Sequence, residues 1–462
     1  MRVIARSVRD SAMIRWYLKQ GLKHAVALVP DAITEPHGVR GRRQLVEQVE
    51  RWPADRMRTE QLRRMNLILE WAVEHVPFYQ DRDLARTLPL REIDDLHQWP
   101  VLDRGTLMVH RQEFCSDRTP SWKTRRGMTT GRSGEPLAIR WEWPNALWWE
   151  QAFHDRLYRW AGLPKRFRRV MLRGGLVDGP RGPESRWWQM VPHRRALVLS
   201  VFQLSHATVE RYLQAMARFR PHVLQAYPSA AAKLARLTSD AGLVPPRLTA
   251  VLTSSESLLA DDRMLIEGVM NAPVFDFYGH AEHAIAAAQC ERREGYHLFE
   301  DYGYAEILDA SGTPVDPGVV GELVATGFHN RAMPFIRYRT GDMAALSPTR
   351  CPCGRVSRVL GVLEGRPPDY LIASDGQRVS LRFGLGSADL RGIEELRFFQ
   401  SSPGVVDVRF VGTKEGSIPE RLSAALRRRT GNRIVYRISR ADRLPPGPGG
   451  KAVLVVHGGG TK

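Results

Sequence analysis

The sequence has few cysteines and lacks any long apolar run. Only four cysteines occur in 462 residues, and so sparse a set does not form a disulfide framework. No stretch reaches the roughly 18 apolar residues that a membrane-spanning helix needs. The N-terminus has scattered charges and no clean apolar segment of the kind found in a secretory signal. We therefore expect a cytoplasmic protein with reduced thiols.

Acidic residues are also in short supply. The chain has 50 Asp and Glu against 68 Lys and Arg, and its net charge is +18. Such a charge suits a polyanionic partner, but the arginines are spread along the chain and no nucleic-acid module is recognisable. We expect no specific nucleic-acid partner. The 43% hydrophobic content is that of an ordinary globular protein, and the length predicts two or three domains.

The N-terminal 29 residues combine a basic bias with interleaved apolar residues. Arg2, Arg6, Arg9, Arg15, Lys19 and Lys23 stand against the single acidic residue Asp10. This pattern indicates either an amphipathic helix on the inner face of an anionic membrane or a helix packed on the body of the protein. We divide the chain into a basic helical extension (residues 1–55), a large domain (56–364) and a small C-terminal domain (365–462).

Short apolar strands alternate with helices between residues 167 and 326. The predicted strands are Arg169–Leu172, Ala196–Val201, Val223–Ala226, Leu248–Thr253 and Val274–Tyr278, and the predicted helices are Thr208–Phe219, Ser229–Ala241 and Asp261–Met270. This alternation predicts an α/β sheet with helical crossovers. Ligands of such sheets bind beyond the carboxyl ends of the strands. Two polar motifs stand there: Ser254-Ser255-Glu256, and the run from Tyr278 to Glu282.

Two further segments indicate ligand contacts. Residues 331–342 read RAMPFIRYRTGD, which predicts a strand that stops at Gly341-Asp342. The Asp342 carboxylate could there accept hydrogen bonds from ribose hydroxyls, although a plain hairpin turn explains the same pair. Residues 128–137 read MTTGRSGEPL, which indicates either a loop with exposed N–H groups around a phosphate or an ordinary turn.

These segments, together with HVPFY at residues 75–79, resemble signature motifs of the adenylate-forming superfamily. The similarity is to its phenylacetate–CoA ligase-like branch, which includes CapK-type proteins, and extends from about Phe78 to Lys451. The resemblance implies an α/β fold with a large adenylation domain and a small mobile C-terminal α+β domain. It also implies an enzyme that uses ATP and Mg²⁺ to convert a carboxylic acid into an acyl-adenylate, and then passes the acyl group to CoA or another acceptor.

The resemblance also assigns roles to individual residues of this sequence. Contacts to the phosphates are assigned to Thr129, Thr130, Gly131, Ser133 and Gly134, and contacts to the adenine and the α-phosphate are assigned to Ser255, Glu256, Tyr278 and Gly279. Asp342 is assigned to the ribose, and Arg366 is assigned a further nucleotide contact. Glu282 is assigned to Mg²⁺, and Lys451 is assigned the role of the catalytic ammonium.

Three residues depart from the family pattern. Arg132 and Ala281 replace residues that usually carry a hydroxyl, and Pro368 restricts the position that usually acts as the hinge pivot. These departures favour an alternative: a catalytically degenerate nucleotide-binding or membrane-surface scaffold in polysaccharide biosynthesis. The acid, the acceptor and the oligomeric state, a homodimer included, stay open.

The remaining candidate site is a set of metal-ligand residues. Cys290, His297, Cys351 and Cys353 offer three thiolates and one imidazole, which suits a closed tetrahedral zinc site, while reduced free thiols explain them equally well. The resemblance favours a structural metal, because some members of the branch carry a similar set. Cys115 is left over as a buried thiol. The tryptophans at 141, 143, 148 and 149 fit either core packing or an acyl pocket.

Overall fold

A twelve-stranded mixed sheet is the largest sheet among the described residues. The computed structural model describes residues 37–128, 137–173, 188–191, 195–365, 370–376, 378–380, 389, 391–413, 416–430, 433–444 and 455–457. The strand order of the large sheet is β11-β12-β13-β14-β10-β9-β8-β7-β6-β3-β5-β4, with the bounds given below. A separate hairpin joins β1 to β2, and β19-β18-β17-β20 form a C-terminal four-stranded sheet.

The described α-helices are α1 (His37–Val49), α2 (Ala54–His75), α3 (Arg82–Arg86), α4 (Arg104–Val109), α5 (Asn145–Trp160), α6 (Val209–Phe219), α7 (Pro228–Asp240), α8 (Ala260–Met270) and α9 (Ile418–Thr430). Short 3₁₀ helices cover Pro77–Tyr79, Ile93–Gln98 and Ser121–Lys123.

The described strands are β1 (Thr124–Met128), β2 (Ala138–Glu142), β3 (Arg169–Arg173), β4 (Trp188–Val191), β5 (Ala196–Ser200), β6 (Val223–Ala226), β7 (Ala250–Ser254), β8 (Val274–Gly279), β9 (Ala286–Ala288), β10 (Tyr296–Leu298), β11 (Gly303–Leu308), β12 (Gly321–Gly327), β13 (Tyr338–Leu346), β14 (Val359–Gly365), β15 (Tyr370–Ile372), β16 (Arg378–Ser380), β17 (Ile393–Ser402), β18 (Val405–Gly412), β19 (Val435–Arg440) and β20 (Val455–His457).

The parallel part of the sheet has the apolar composition expected of buried strands. Strands β5, β3, β6, β7 and β8 run in the same direction. All residues of β5 (ALVLS) and β6 (VLQA) are buried, because helices cover both faces of a parallel sheet. The predicted α/β sheet with helical crossovers is confirmed, and Val223–Ala226 has the predicted bounds.

The crossover helices follow from apolar spacing. In α6, Val209, Tyr212, Leu213 and Met216 are buried, at the i, i+3, i+4 and i+7 positions of one helical face. The helix ends where Arg220 takes a left-handed conformation with a φ of 51°. Helix α6 therefore packs one face on the sheet and presents its basic residues to solvent.

The prediction that a strand stops at Gly341-Asp342 was wrong. Strand β13 begins at Tyr338 and continues to Leu346. The register between β13 and β12 shifts at this point: Glu322 of β12 pairs with Met343, whereas Val324 pairs with Arg339. Gly341 has a φ of 74°, and a glycine in this conformation lets a strand bulge and continue. The turn-forming residues thus mark a bulge, and Asp342 lies within the strand.

Pairs of ionisable side chains connect the C-terminal four-stranded sheet to α7 and to the segment that follows β5. The Nδ1 atom of His206 lies 2.6 Å from Oε1 of Glu394, and its Nε2 lies 3.2 Å from Oδ2 of Asp240. The ammonium of Lys233 lies 3.0 Å from Oε1 of Glu395. Both glutamates belong to the start of β17, so two neighbouring residues of one strand provide these contacts.

We expect the double change Glu394→Gln with Glu395→Gln to release the C-terminal sheet. Partly exposed ion pairs contribute about 0.2–1 kcal/mol each, so loss of two pairs should raise the undocked population about 2- to 30-fold. Small-angle X-ray scattering should then show a larger radius of gyration. A control with the same charge change, Glu420→Gln with Asp442→Asn, should scatter like the parent protein. Identical curves for both variants would contradict a docking role for these pairs.

Candidate active site and candidate metal centre

A hydrogen bond joins the two motifs that the sequence places at a ligand-facing edge. The Tyr278 hydroxyl, near the end of β8, donates to Oδ2 of Asp342 in β13 over 2.7 Å. Asp342 is 7% exposed, and its backbone N–H donates to Oγ1 of Thr340. The bulge at Gly341 and this pairing fix the direction of the carboxylate. Gly279 follows Tyr278 where a side chain would contact the Phe277 ring.

Glu282 is a buried carboxylate in the loop after β8. It is 2% exposed. The Tyr338 hydroxyl donates to its Oε1 over 3.4 Å, and Nδ1 of His280 lies 3.6 Å from its Oε2. A buried carboxylate requires hydrogen bonds or a cation, and hard Mg²⁺ prefers oxygen ligands and keeps several waters. The donor chemistry of Glu282 therefore fits a magnesium ion.

The β1–β2 hairpin is attached to this loop. The Trp141 indole N–H donates to the carbonyl oxygen of Ala281 over 2.8 Å. Gly127, in the paired strand, leaves room for the Trp141 ring, since a side chain at that position would overlap it. The hairpin stem is thus held beside Glu282. Trp141 also stacks on His283, with ring planes 15° apart.

Ser255 and Glu256 follow β7, as predicted, but Glu256 has a visible structural partner. Its Oε2 accepts a hydrogen bond from the backbone N–H of Ser229 over 3.1 Å, in the first turn of α7. A carboxylate at this point satisfies a helix N–H and faces the positive end of the helix dipole. Ser255 has a φ of 72°, so the turn that carries both residues is tightly constrained.

A polar cluster that was not predicted from the sequence lies beside Glu282. Glu150 of α5 accepts a hydrogen bond from the Tyr302 hydroxyl over 2.7 Å, and Nδ1 atoms of His154 and His283 lie 3.7 and 4.0 Å from its carboxylate. Burial acts to raise the pKa of Glu150, but His283 and His154 outweigh it and the pKa is lowered. The only sequence signal was the four-residue spacing of Glu150 and His154 on one helix face.

Several predicted site residues lie outside the described residues. These are Thr129, Thr130, Gly131, Arg132, Ser133 and Gly134 between β1 and β2, Arg366 and Pro368 after β14, and Lys451 before β20. Their assigned roles stay predictions.

The predicted zinc ligands come together in space. The ligand atoms of Cys290, His297, Cys351 and Cys353 all lie within 4.8 Å of one another. The Cys290 and Cys351 sulfurs are 3.7 Å apart, and the Cys353 sulfur is 3.4 Å from Nε2 of His297. Tetrahedral Zn–S and Zn–N bonds of about 2.3 and 2.05 Å require separations of about 3.8 and 3.6 Å. The four residues therefore fit one zinc ion.

Two of the four side chains have surroundings that favour the metal-binding form, whereas burial raises the pKa of Cys290 and of Cys351. Burial, followed by the nearby Arg355 charge, lowers the pKa of His297 to about 4, so its imidazole is neutral. Its Nδ1 lies 2.9 Å from the Ser357 hydroxyl, which leaves Nε2 toward Cys353. Burial acts to raise the pKa of Cys353, but hydrogen bonds from Arg355 prevail and lower it. Cys115 stands apart and is only half-buried, less than we expected.

Known proteins support this picture of the fold. No family model matches the chain. A phenylacetate–CoA ligase of Thermus thermophilus is 28% identical over 336 residues, which are 70% of this chain and 74% of that protein. Protein CapK of Staphylococcus aureus is 23% identical over 319 residues, or 66% and 68% of the two chains.

A crystal structure of 2-hydroxyisobutyryl-CoA ligase, in the postadenylation state with an acyl-AMP, matches with a TM-score of 0.68. That match has 20% identity and covers 88% of this chain and 91% of the ligase. The chain is similar to the adenylate-forming superfamily, and within it to the phenylacetate–CoA ligase-like branch. The expected fold class is thereby confirmed. Tyr278, Glu282 and Asp342, to which the resemblance assigns nucleotide and metal contacts, are connected by hydrogen bonds through Tyr278 and Tyr338.

We propose that Cys290, His297, Cys351 and Cys353 hold one structural zinc. Protein prepared without chelators should contain about one zinc per chain, and Cys353→Ser should lower both the zinc content and the melting temperature, because metal binding contributes to folding. Cys115→Ser is the matched control and should leave both unchanged. Elemental analysis showing less than about half a zinc per chain in the parent protein would reject the one-site model.

Proposed function

We propose that the protein uses ATP to convert a carboxylic acid into an acyl-adenylate, and then transfers the acyl group to CoA or to another thiol, amine or hydroxyl acceptor. The observation that carries this proposal is the Tyr278–Asp342 hydrogen bond beside buried Glu282. This arrangement lies beyond the carboxyl ends of parallel strands, where α/β sheets bind ligands. The relatives named as acyl-CoA ligases support the same activity.

Each described residue has a distinct part in the proposed reaction. Asp342 accepts hydrogen bonds from the ribose hydroxyls through its fixed carboxylate, and Tyr278 orients Asp342 and lies against the adenine. Glu282 would hold Mg²⁺, which supplies charge neutralisation at the phosphates when bound. The acid oxygen attacks the α-phosphorus in line, the bond to pyrophosphate breaks, and no covalent enzyme intermediate is needed. Positioning and electrostatics therefore account for the rate.

The acyl pocket, in this proposal, lies near Glu150, His154 and His283. These polar residues stand between α5 and the loop that carries Glu282. A hydrogen-bonding cluster at this place suits an acid with a polar substituent better than a purely aliphatic one, because an aliphatic group offers these side chains no hydrogen bond. Trp149 stacks on Phe153 and His329 and therefore serves the core.

An alternative function is a nucleotide-binding scaffold in polysaccharide biosynthesis that no longer catalyses. The CapK relative and the departures at Arg132, Ala281 and Pro368 favour it. The backbone carbonyl of Ala281 accepts the hydrogen bond from Trp141. It therefore does not replace the hydroxyl that the family usually carries at this position. A membrane contact through residues 1–29 would suit this alternative, but that segment lies outside the described residues. No described helix has the length and apolarity to cross a membrane.

ATP–pyrophosphate exchange across a panel of carboxylic acids tests the enzymatic function, and Lys451 provides the decisive variant. Attack on the α-phosphate builds negative charge, which an ammonium stabilises more in the transition state than in the bound substrate. We expect Lys451→Ala to lower exchange by orders of magnitude with little change in ATP binding. Acyl transfer from a supplied acyl-adenylate should suffer much less.

Lys462→Ala is the control for Lys451→Ala and should exchange at the parent rate. Parent-rate exchange by Lys451→Ala would remove the lysine from the mechanism. ATP binding without exchange for any acid would favour the scaffold alternative.

Asp342→Ala should weaken ATP binding by roughly 1.5–3 kcal/mol, since charge-assisted hydrogen bonds to the ribose are lost at a desolvated position. Calorimetric titration of ATP and of 2′,3′-dideoxy-ATP separates the hydroxyl contacts from other effects. The parent protein should prefer ATP, whereas Asp342→Ala should bind both alike. Tyr278→Phe keeps the carboxylate and should lose less affinity than Asp342→Ala. If folded Asp342→Ala still prefers ATP to 2′,3′-dideoxy-ATP as the parent does, Asp342 does not bind the ribose hydroxyls.

A further inference from the structure

The amino ends of the parallel strands carry three polar residues at the edge opposite to the candidate active site. Arg168 directly precedes β3, His222 precedes β6, and Thr249 precedes β7. The backbone N–H of His222 donates to the carbonyl of Arg168 over 2.8 Å, and that of Thr249 donates to the carbonyl of His222 over 2.7 Å. These hydrogen bonds hold the three strand starts level and side by side.

A groove of about 620 Å³ lies along these strand starts. This volume is within the range of about 300–1,000 Å³ typical of small-molecule sites. Its lining includes three arginines, one histidine and no acidic residue among the described residues; the full set is Arg168, Ala217, Arg220, Pro221, His222, Pro246, Arg247, Leu248 and Thr249. The groove is therefore cationic, with an apolar floor of two prolines, an alanine and a leucine.

The backbone contacts of Arg168 fix the shape of the groove. Its Nε donates to the carbonyls of Phe219 and Arg220 at the end of α6, over 3.0 and 2.7 Å. Its backbone N–H donates to Nδ1 of His222 over 3.0 Å, so the imidazole proton is on Nε2 and that atom is a donor. The guanidinium is thus held near the end of the helix, while the imidazole has one defined tautomer.

The other two arginines lack acidic partners among the residues that the structure describes. Arg220 and Arg247 are both exposed, and no ion pair involves either within the described ranges. Arg220 is held in a left-handed conformation, and Arg247 directly follows Pro245 and Pro246, whose own φ angles are fixed. Three like charges along one groove repel one another unless an anion binds between them.

We propose that this groove binds a small molecule that carries a diphosphate or triphosphate group. Arginine guanidinium groups match phosphate oxygens with paired hydrogen bonds, and the Nε2–H of His222 and the Thr249 hydroxyl add neutral donors. The prolines and Leu248 provide an apolar surface for the body of the ligand. The concave shape favours a small molecule over a flat membrane surface. This site goes beyond the proposed ligase activity and does not depend on it.

The test uses inorganic tripolyphosphate in magnesium-free buffer, titrated into the full chain by calorimetry. The parent protein should bind it, and Arg220→Gln with Arg247→Gln should weaken binding at least 10-fold, since two charge-assisted phosphate contacts are removed. Arg168 is left intact because it supports backbone carbonyls. The control Arg91→Gln with Arg218→Gln changes the net charge equally outside the groove and should bind like the parent.

Further variants separate this site from the nucleotide site. Lys451→Ala should bind tripolyphosphate like the parent. The groove variant, Arg220→Gln with Arg247→Gln, should keep ATP–pyrophosphate exchange. The groove proposal and the ligase proposal can therefore fail independently. The groove proposal is overturned if the parent shows no binding, or if the groove variant and its control bind equally. It is also overturned if only phosphatidylglycerol vesicles, and not tripolyphosphate, distinguish the groove variant from its control.

Discussion

The common direction of five strands is the constraint on which both ends of the large sheet depend. Because β5, β3, β6, β7 and β8 are parallel, every carboxyl end meets at one edge and every amino end at the other. Ser255, Glu256 and the loop from Tyr278 to Glu282 thus share the first edge. Arg168, His222 and Thr249 share the second. The common strand direction therefore separates the edge that carries Glu256 and Glu282 from the edge that carries Arg168.

The acidic edge also depends on an antiparallel extension of the sheet. Strands β9 to β14 continue from β8 by antiparallel pairing, which brings β13 and its Asp342 close enough for the Tyr278 hydroxyl. A parallel sheet alone would not place a carboxylate from so late in the chain there. The bulge around Gly341 then fixes Asp342 within the strand. The candidate site therefore requires both kinds of pairing.

Local patterns in the sequence predicted most of the elements from β3 to β8 but not the contacts between them. Helix α7 and strand β6 were predicted to within a residue, because apolar spacing and flanking turn residues determine them locally. The Gly341-Asp342 pair was misjudged, since a bulge and a turn use the same residues and differ only in what the neighbouring strand does. Glu256 as a helix cap and the Glu150 cluster could not be foreseen. Both depend on contacts between residues distant in the chain.

Strand β14 links the candidate metal centre to the candidate nucleotide site. Its first residue, Val359, pairs with His297, and its later residues pair with the part of β13 that follows Asp342. The loop with Cys351 and Cys353 directly precedes it, and Arg366 directly follows it. A metal that joins this loop to Cys290 would fix the start of β14, since a crosslink restricts both segments. The chain would then leave the large sheet toward the C-terminal sheet from a rigid strand. A zinc ion bound by these four residues would in this way stiffen the strand that leads out of the large sheet.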